Sequence, residues 1–207
     1  MTVSLRSSGH RWPALLLALF LLTLLSGCGV NTIPTLEEQA KAAWSQVQNQ
    51  YQRRADLVPN LVETVKGFAA QEREVLTEVV EARARVGQTQ ISPEMLTDPQ
   101  AFEQFQQNQA ALSSALSRLL VVVERYPELR SNQNFLTLQS QLEGTENRIA
   151  VARRDYIQAV QRYNTELRTI PGRWWAALVY TDAEPMQNFT AEASATQAPQ
   201  VDFGDPS

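Results

Sequence analysis

Histidine and cysteine are almost absent from this chain of 207 residues, which contains one of each, His10 and Cys28. Most zinc sites use cysteine and histidine ligands, and hydrolases with a serine or cysteine nucleophile usually need a histidine base. Haem and the Glu-x-x-His di-iron sites of helical bundles commonly need histidine as well. We therefore predict no metal site, no haem and no other cofactor.

Short motifs that bind phosphate or calcium, or that present a nucleophile, are also absent. The sequence has no Gly-rich phosphate loop, no DxDxDG calcium loop and no GxSxG turn. Carboxylate chemistry remains, with Glu72, Glu143 and Glu146 as candidates. It would need a cleft in which one carboxyl group has a raised pKa. An enzyme is not expected, and no small-molecule substrate is identified.

The chain has fewer basic than acidic residues: 18 Lys and Arg against 22 Asp and Glu, which gives a formal net charge of −4. Two of the basic residues, Arg6 and Arg11, precede an apolar run near the N-terminus. Loss of that region would leave the remaining chain still more acidic. Nucleic-acid-binding domains concentrate basic residues on one face, so no nucleic-acid partner is expected.

The N-terminal region is typical of a bacterial signal peptide. The apolar run 14–25 is shorter than the roughly 20 residues that a membrane-spanning helix needs, and it ends in Leu25-Ser26-Gly27-Cys28. These four residues resemble the lipoprotein consensus, which implies cleavage before Cys28 and a diacylglyceryl thioether on its sulfur. We predict a signal peptide over residues 1–27 and a membrane partner engaged through lipid on Cys28.

An uncleaved signal anchor that continues through Val30 or Ile33 is the alternative. Either arrangement tethers the chain to a membrane, and two or three acyl chains would hold it durably because each buried methylene adds about 0.8 kcal/mol. The residue after Cys28 is Gly29 and not the Asp that marks inner-membrane retention in enteric-type bacteria. We expect a location at the cell membrane or outer membrane, with the folded part outside the cytoplasm.

Apolar residues recur at alternating steps of three and four in three long stretches, which is typical of bundle helices. The first stretch opens at a capping box, Thr35-Leu36-Glu37-Glu38, and is expected to run to about Gly87. Pro59 lies inside it and should kink the helix, because proline lacks the backbone donor and clashes with the preceding turn. The second stretch begins at Asp98, and the third covers 135–163.

The predicted fold class is all-α: an elongated antiparallel bundle of three long helices, the first kinked at Pro59, plus a short C-terminal helix. Residues 28–35 form the lipid anchor and tether, and residues 36–180 form the bundle. The remaining residues, 181–207, are rich in Ala, Ser, Thr, Gln and Pro and are predicted to be a disordered tail.

Several blocks of polar and apolar residues, in order along the helices, resemble the LemA family. The resemblance spans roughly Trp44 to Pro171. The blocks are QYQRRADLVPNLV over 50–62, Val65-Lys66-Gly67, Glu81-Ala82-Arg83-Ala84, Tyr126-Pro127-Glu128-Leu129, Asn134-Phe135, Leu138, LEGTENRI over 142–149, Ala152-Arg153, Tyr156, Tyr163-Asn164 and Pro171.

LemA proteins are all-α, usually carry an N-terminal membrane segment and have no established biochemical activity. The resemblance implies a helical bundle with a membrane-linked role, and related proteins act in magnetosome membrane formation. This chain departs from the family pattern in two places. It has a lipobox where a plain membrane span is usual, and Trp174-Trp175 where the family usually has a Gly-Phe stretch.

Polar residues inside the LemA-like blocks have two interpretations. They could form pairs that fix the register of a repetitive apolar seam, or they could form an interaction site. Trp44, Trp174 and Trp175 could likewise lie at a bilayer interface or in the core. The polar candidates are Arg54, Asp56, Asn60, Glu146, Asn147, Arg148 and Arg153.

The favoured function is a membrane-anchored, non-enzymatic scaffold or adaptor that binds another envelope protein or self-associates. The alternative is a membrane-shaping or lipid-binding protein. The carboxylate enzyme introduced above is a third and less favoured hypothesis.

Overall fold

The structure is a computed structural model that describes residues 29–88 and 92–190. This part of the chain contains six α-helices and no strand, which confirms the predicted all-α bundle. The predicted signal peptide, Cys28 and residues 191–207 lie outside the described residues. The helices are α1 (Thr32–Lys66), α2 (Arg73–Gln88), α3 (Pro99–Val123), α4 (Pro127–Arg130), α5 (Gln133–Arg168) and α6 (Gly172–Leu178), with a 3₁₀ turn (Pro93–Leu96) before α3.

The two longest helices, α1 and α5, form an antiparallel pair that runs the length of the bundle. They contain 35 and 36 residues, so each is about 50 Å long at 1.5 Å per residue. Trp44 faces Tyr156 with ring centroids 5.1 Å apart, and Arg54 faces Glu146 almost three turns further along the pair. The remaining helices pack on this pair.

The prediction of one long first helix that reaches Gly87 is wrong, because the chain turns between α1 and α2. The two helices form an antiparallel hairpin in which Arg83 Nε donates to the carbonyl oxygen of Ala55 at 3.1 Å. The turn contains Gly67 and is anchored by the fully buried Ala69. Pro59 lies on the exposed side of α1, which continues beyond it to Lys66; the kink stays a prediction.

Side-chain caps define two of the helix starts. Asp98 accepts hydrogen bonds from the backbone N–H groups of Gln100 and Ala101 at 2.9 and 3.2 Å, which confirms the predicted start of α3. Asn132 caps α5 in the same way. The predicted capping box at Thr35 is wrong, since α1 already begins at Thr32 and the Thr35 hydroxyl donates to the Asn31 carbonyl at 2.7 Å.

The bundle contains two hydrophobic cores, one toward each end. The proximal core, on the side of Gly29, is aromatic and is centred on Trp44, whose ring centroid lies 5.2 Å from that of Phe105. The distal core is mainly aliphatic and joins the α1–α2 hairpin to α3 and the start of α5. It includes Val58, Val65, Leu76, Val79, Leu112, Leu119, Leu129 and Phe135.

Residues 181–190 pack against the proximal core, which corrects the prediction of a tail disordered from residue 181. Met186 is buried, and Phe189 lies 5.2 Å from Phe102 between ring centroids. Composition suggested disorder because this segment has few apolar residues, but those few fill a pocket that the helices form.

Among residues 29–88 and 92–190, no helix combines the length and the apolar character that crossing a membrane requires.

Candidate functional site

A buried arginine joins three helices between the two cores. Arg54 of α1 is 1% exposed. Its Nη1 donates to Ser113 Oγ of α3 at 2.7 Å and to Glu146 Oε1 of α5 at 3.1 Å. Its Nη2 donates to the side-chain and main-chain oxygens of Gln109 at 2.5 and 3.2 Å. The guanidinium also lies 5.0 Å from the centroid of the Tyr51 ring.

Helical geometry brings these groups together. Gln109 and Ser113 are four residues apart on α3 and so share one face, and Tyr51 lies one turn before Arg54 on α1. A buried guanidinium costs several kcal/mol in lost hydration unless it is paired and hydrogen-bonded. Here one carboxylate, one amide, one hydroxyl and one carbonyl accept from the two terminal nitrogens, whereas Nε is buried with no acceptor among the described residues. The Glu146 side chain is 44% exposed, so the pair reaches from the interior to the surface.

A cleft of about 480 Å³ opens above Arg54, between α3 and α5. Two arginines and two glutamates line it together with amide side chains, so its lining carries both signs of charge. The lining residues are Tyr51, Arg54, Glu103, Gln106, Gln107, Gln109, Ala110, Ser113, Glu146, Ile149, Arg153, Phe189 and Thr190.

The floor and the proximal end of the cleft are aromatic. Burial raises the pKa of the Tyr51 hydroxyl, and the positive charges of Arg153 and Arg54 oppose that effect only in part. The phenol is therefore protonated at neutral pH. At the proximal end, the Arg153 guanidinium lies 4.4 Å from the centroid of the Phe189 ring, a cation–π contact.

The bundle holds residues 186–189 as an extended peptide. The Asn164 side chain donates to the Met186 carbonyl at 2.8 Å and accepts from the Met186 N–H at 2.9 Å. The Tyr156 hydroxyl donates to the Gln187 carbonyl at 2.8 Å, and the Gln187 N–H donates to the Leu96 carbonyl at 2.6 Å. Main-chain groups are thus held by α5 and by the 3₁₀ turn before α3, and the segment leads directly to the cleft.

The structure brings together three of the seven polar residues singled out in the sequence, Arg54, Glu146 and Arg153. The other four are exposed elsewhere. Asp56 accepts a hydrogen bond from Gln52 at 2.8 Å. Asn60, also on α1, contributes its backbone carbonyl to Thr64.

Asn147 and Arg148 line a shallow groove between α1 and α5 that also includes Gln46 and Gln50. They do not reach the cleft. Cys28, the predicted lipidation site, lies outside the described residues.

Sequence reasoning missed Ser113 and Phe189 as parts of the site. Gln109 was detectable as a polar residue in an apolar helical seam, and Ser113 lies one turn further on the same face. Phe189 gave no local signal, because its pocket is built from residues far away in the chain.

The three carboxylates considered for catalysis are exposed or paired. Glu72 accepts from the Tyr126 hydroxyl at 2.6 Å and pairs with Arg125 at 3.1 Å. Glu146 pairs with Arg54, and Glu143 is exposed and accepts from a neighbouring glutamine. Within residues 29–88 and 92–190, no cluster of three Asp, Glu, His or Cys side chains could hold a metal ion.

Arg54→Ala is expected to lower the free energy of unfolding by about 3–5 kcal/mol, because it removes a buried paired charge and leaves Gln109 without its partner. Arg53→Ala is the matched control, since Arg53 is the exposed neighbour on the same helix and should change stability by less than about 0.5 kcal/mol. Urea denaturation followed by far-ultraviolet circular dichroism measures both. Equal losses in the two variants would contradict the role assigned to Arg54.

Asn164→Ala is expected to loosen the extended segment, because it removes two hydrogen bonds that together contribute about 1–3 kcal/mol. Amide hydrogens of residues 186–190 should then exchange roughly 5 to 150 times faster, as measured by mass spectrometry. Asn147→Ala, an exposed asparagine on the same helix, should leave that exchange unchanged. Unchanged exchange in Asn164→Ala would mean that the side chain does not hold the segment.

Comparison with known proteins matches this chain to one protein family and to curated relatives. The LemA family model matches residues 43–203. Magnetosome proteins MamQ 2 and MamQ 1 of Paramagnetospirillum magneticum (strain ATCC 700264 / AMB-1) are each 28% identical to it over 199 residues, covering 88% of this chain and 72% of each relative. Magnetosome protein MamQ of Magnetospirillum gryphiswaldense (strain DSM 6361 / JCM 21280 / NBRC 15271 / MSR-1) is 26% identical over 178 residues, covering 78% of this chain and 65% of that protein.

Proposed function

The chain belongs to the LemA family, and we propose that it is an envelope lipoprotein whose helical bundle acts as a non-enzymatic adaptor. In this proposal, lipid on Cys28 holds the protein at a membrane, and the cleft between α3 and α5 binds an extended peptide segment of a partner protein. Family membership supports a membrane-associated protein; the lipid and the adaptor role are the proposed refinements.

The lipid anchor is supported by the sequence around Cys28 and by the start of α1. The lipobox Leu25-Ser26-Gly27-Cys28 leads into Gly29, and α1 begins only three residues later, at Thr32. Residues 29–31 lie in a turn in which the Thr32 N–H donates to the Gly29 carbonyl at 3.1 Å, so only a short connection separates Cys28 from α1. A lipid on Cys28 would therefore keep the proximal end of the bundle close to the membrane surface.

The adaptor role rests mainly on the way the bundle holds residues 186–189. That segment is bound through its main-chain groups, with Phe189 in an aromatic pocket, and the cleft continues the same path between α3 and α5. Gln106 and Gln107 offer amide donors and acceptors along the cleft. Arg153, Glu103 and Glu146 add both signs of charge, so the cleft offers the groups that an extended polypeptide with mixed side chains requires.

The pairing of the acidic side chains supports a non-enzymatic role. A catalytic carboxyl group would need an environment that sets its pKa for proton transfer, and the carboxylates at the cleft and the hairpin turn are instead engaged by arginines or exposed. The charges at the cleft are arranged for recognition.

A membrane-organising role is the second candidate. The relatives are named as magnetosome proteins, and an exposed apolar surface on α6 favours direct lipid contact.

Site-specific photocrosslinking in the native membrane tests the adaptor proposal. A benzophenone amino acid replaces Ala110, which is exposed and lines the cleft, or Gln104, which is exposed on the same helix and does not line it. We expect a discrete adduct with an envelope protein from position 110, absent at position 104. Identical adducts from both positions, or none from position 110 in membrane-bound protein, would contradict the proposal.

A further inference from the structure

Exposed apolar side chains are concentrated at the proximal end of the bundle. Ile170, Trp174, Leu178 and Val179 are 65%, 58%, 77% and 52% exposed. Trp174 and Leu178 are four residues apart on α6 and therefore share one face of that helix. The other large exposed apolar residues are dispersed over α2, α3, α5 and the hairpin turn. These four residues form what we call the α6 patch.

The two adjacent tryptophans of α6 have different environments. Trp175 packs against the proximal core, whereas Trp174 is exposed. Partial burial of Trp175 holds α6 on the bundle, so Trp174 and Leu178 are presented outward by a docked helix. Protein surfaces that lie at membrane interfaces are typically rich in outward-facing Trp and Leu side chains with basic residues beside them.

The α6 patch lies where the chain enters the bundle. A Cβ atom built on Gly29 would lie 3.5 Å from Pro171 Cγ and 3.7 Å from Trp175 Nε1. Cys28 directly precedes Gly29, and consecutive Cα atoms are only about 3.8 Å apart. Any lipid on Cys28 therefore starts next to α6.

Charge around the patch is mixed, so charge by itself does not select an anionic surface. Arg168 and Arg173 are exposed, and the Glu166 carboxylate lies against Gly172 at the start of α6. Asp182 follows two positions after Tyr180 and weakens the local positive charge. Two arginines alone bind anionic lipid weakly, so the patch needs another source of affinity.

We propose that the α6 patch docks on the headgroup region of the bilayer that holds the anchor. This inference rests on the proposed lipid anchor at Cys28. A tether of a few residues raises the effective concentration of a linked surface to about the millimolar range, which makes a weak contact sufficient. The bundle then stands with its proximal end at the membrane and its α1–α2 hairpin turn about 50 Å away along α1.

The indole N–H of Trp175 gives this placement independent support. It is buried and has no hydrogen-bond acceptor within the part of the chain that the structure describes. Buried polar groups are normally paired, and this one lies beside Gly29. In this proposal, the lipidated end of the chain or the lipid headgroups supply its acceptor.

Quenching of tryptophan fluorescence by brominated lipid tests the proposal. Full-length protein carrying Trp12→Phe is extracted from membranes and reconstituted in vesicles of equimolar phosphatidylethanolamine and phosphatidylglycerol, with or without brominated acyl chains. Flotation is measured on the same samples, and quenching is scored in the floated fraction. We expect bromine-dependent quenching that Trp174→Phe strongly reduces, because the partly buried Trp175 is the remaining tryptophan of α6.

Val121→Trp in the Trp174→Phe background is the matched control. Val121 is 71% exposed near the distal end of α3, so the control restores an exposed indole away from the α6 patch, and it should not restore quenching. Protein that floats without quenching would overturn the docking proposal and leave the anchor intact. Equal quenching of the indole at position 121 would also overturn the docking proposal and leave the anchor intact. A dimer that requires Trp174 would assign the patch to a second copy. Protein that does not float would contradict both the anchor and the docking.

Discussion

The charge of Arg54 constrains how the helices can pack. Apolar seams with three-four spacing fit together in several registers, and a slip of one turn moves a helix by about 5.4 Å. Such a slip between α1 and α5 would separate Arg54 from Glu146 and leave a guanidinium unpaired in the interior, at a cost of several kcal/mol. The bonds to Gln109 and Ser113 extend the same constraint to α3. One side chain thus favours a single arrangement of three helices.

The same arginine shapes the surface above it. Since Arg54 draws Glu146 and Gln109 toward the bundle axis, the polar groups that line the cleft belong to three helices held in fixed positions. Residues 186–189 occupy the adjoining groove through main-chain hydrogen bonds. The contacts of Arg54 and the contacts that hold residues 186–189 are separate sets that meet at the cleft. The exposed apolar residues of α6 lie apart from the cleft, at the proximal end.

Local patterns in the sequence predicted the helices and part of the site. The spacing of apolar residues located the seams. Arg54 was singled out as a polar residue within the LemA-like blocks before its partners were known. The turn at 67–72 was not predictable from the spacing of apolar residues, because the same three-four spacing continues in α2 after the turn. Phe189 was missed because composition describes a segment locally, whereas the pocket that holds this ring is assembled by Trp44, Phe102 and Tyr156 from three distant helices.

Lipid on Cys28 is proposed to fix this bundle at a membrane by its proximal end. Intact mass spectrometry of protein extracted from its native membrane tests this anchor. We expect a chain that begins at Cys28 and is heavier by two or three acyl groups, which would also remove His10 and the free thiol from the mature protein. A mass that retains residues 1–27 and carries no lipid would contradict it.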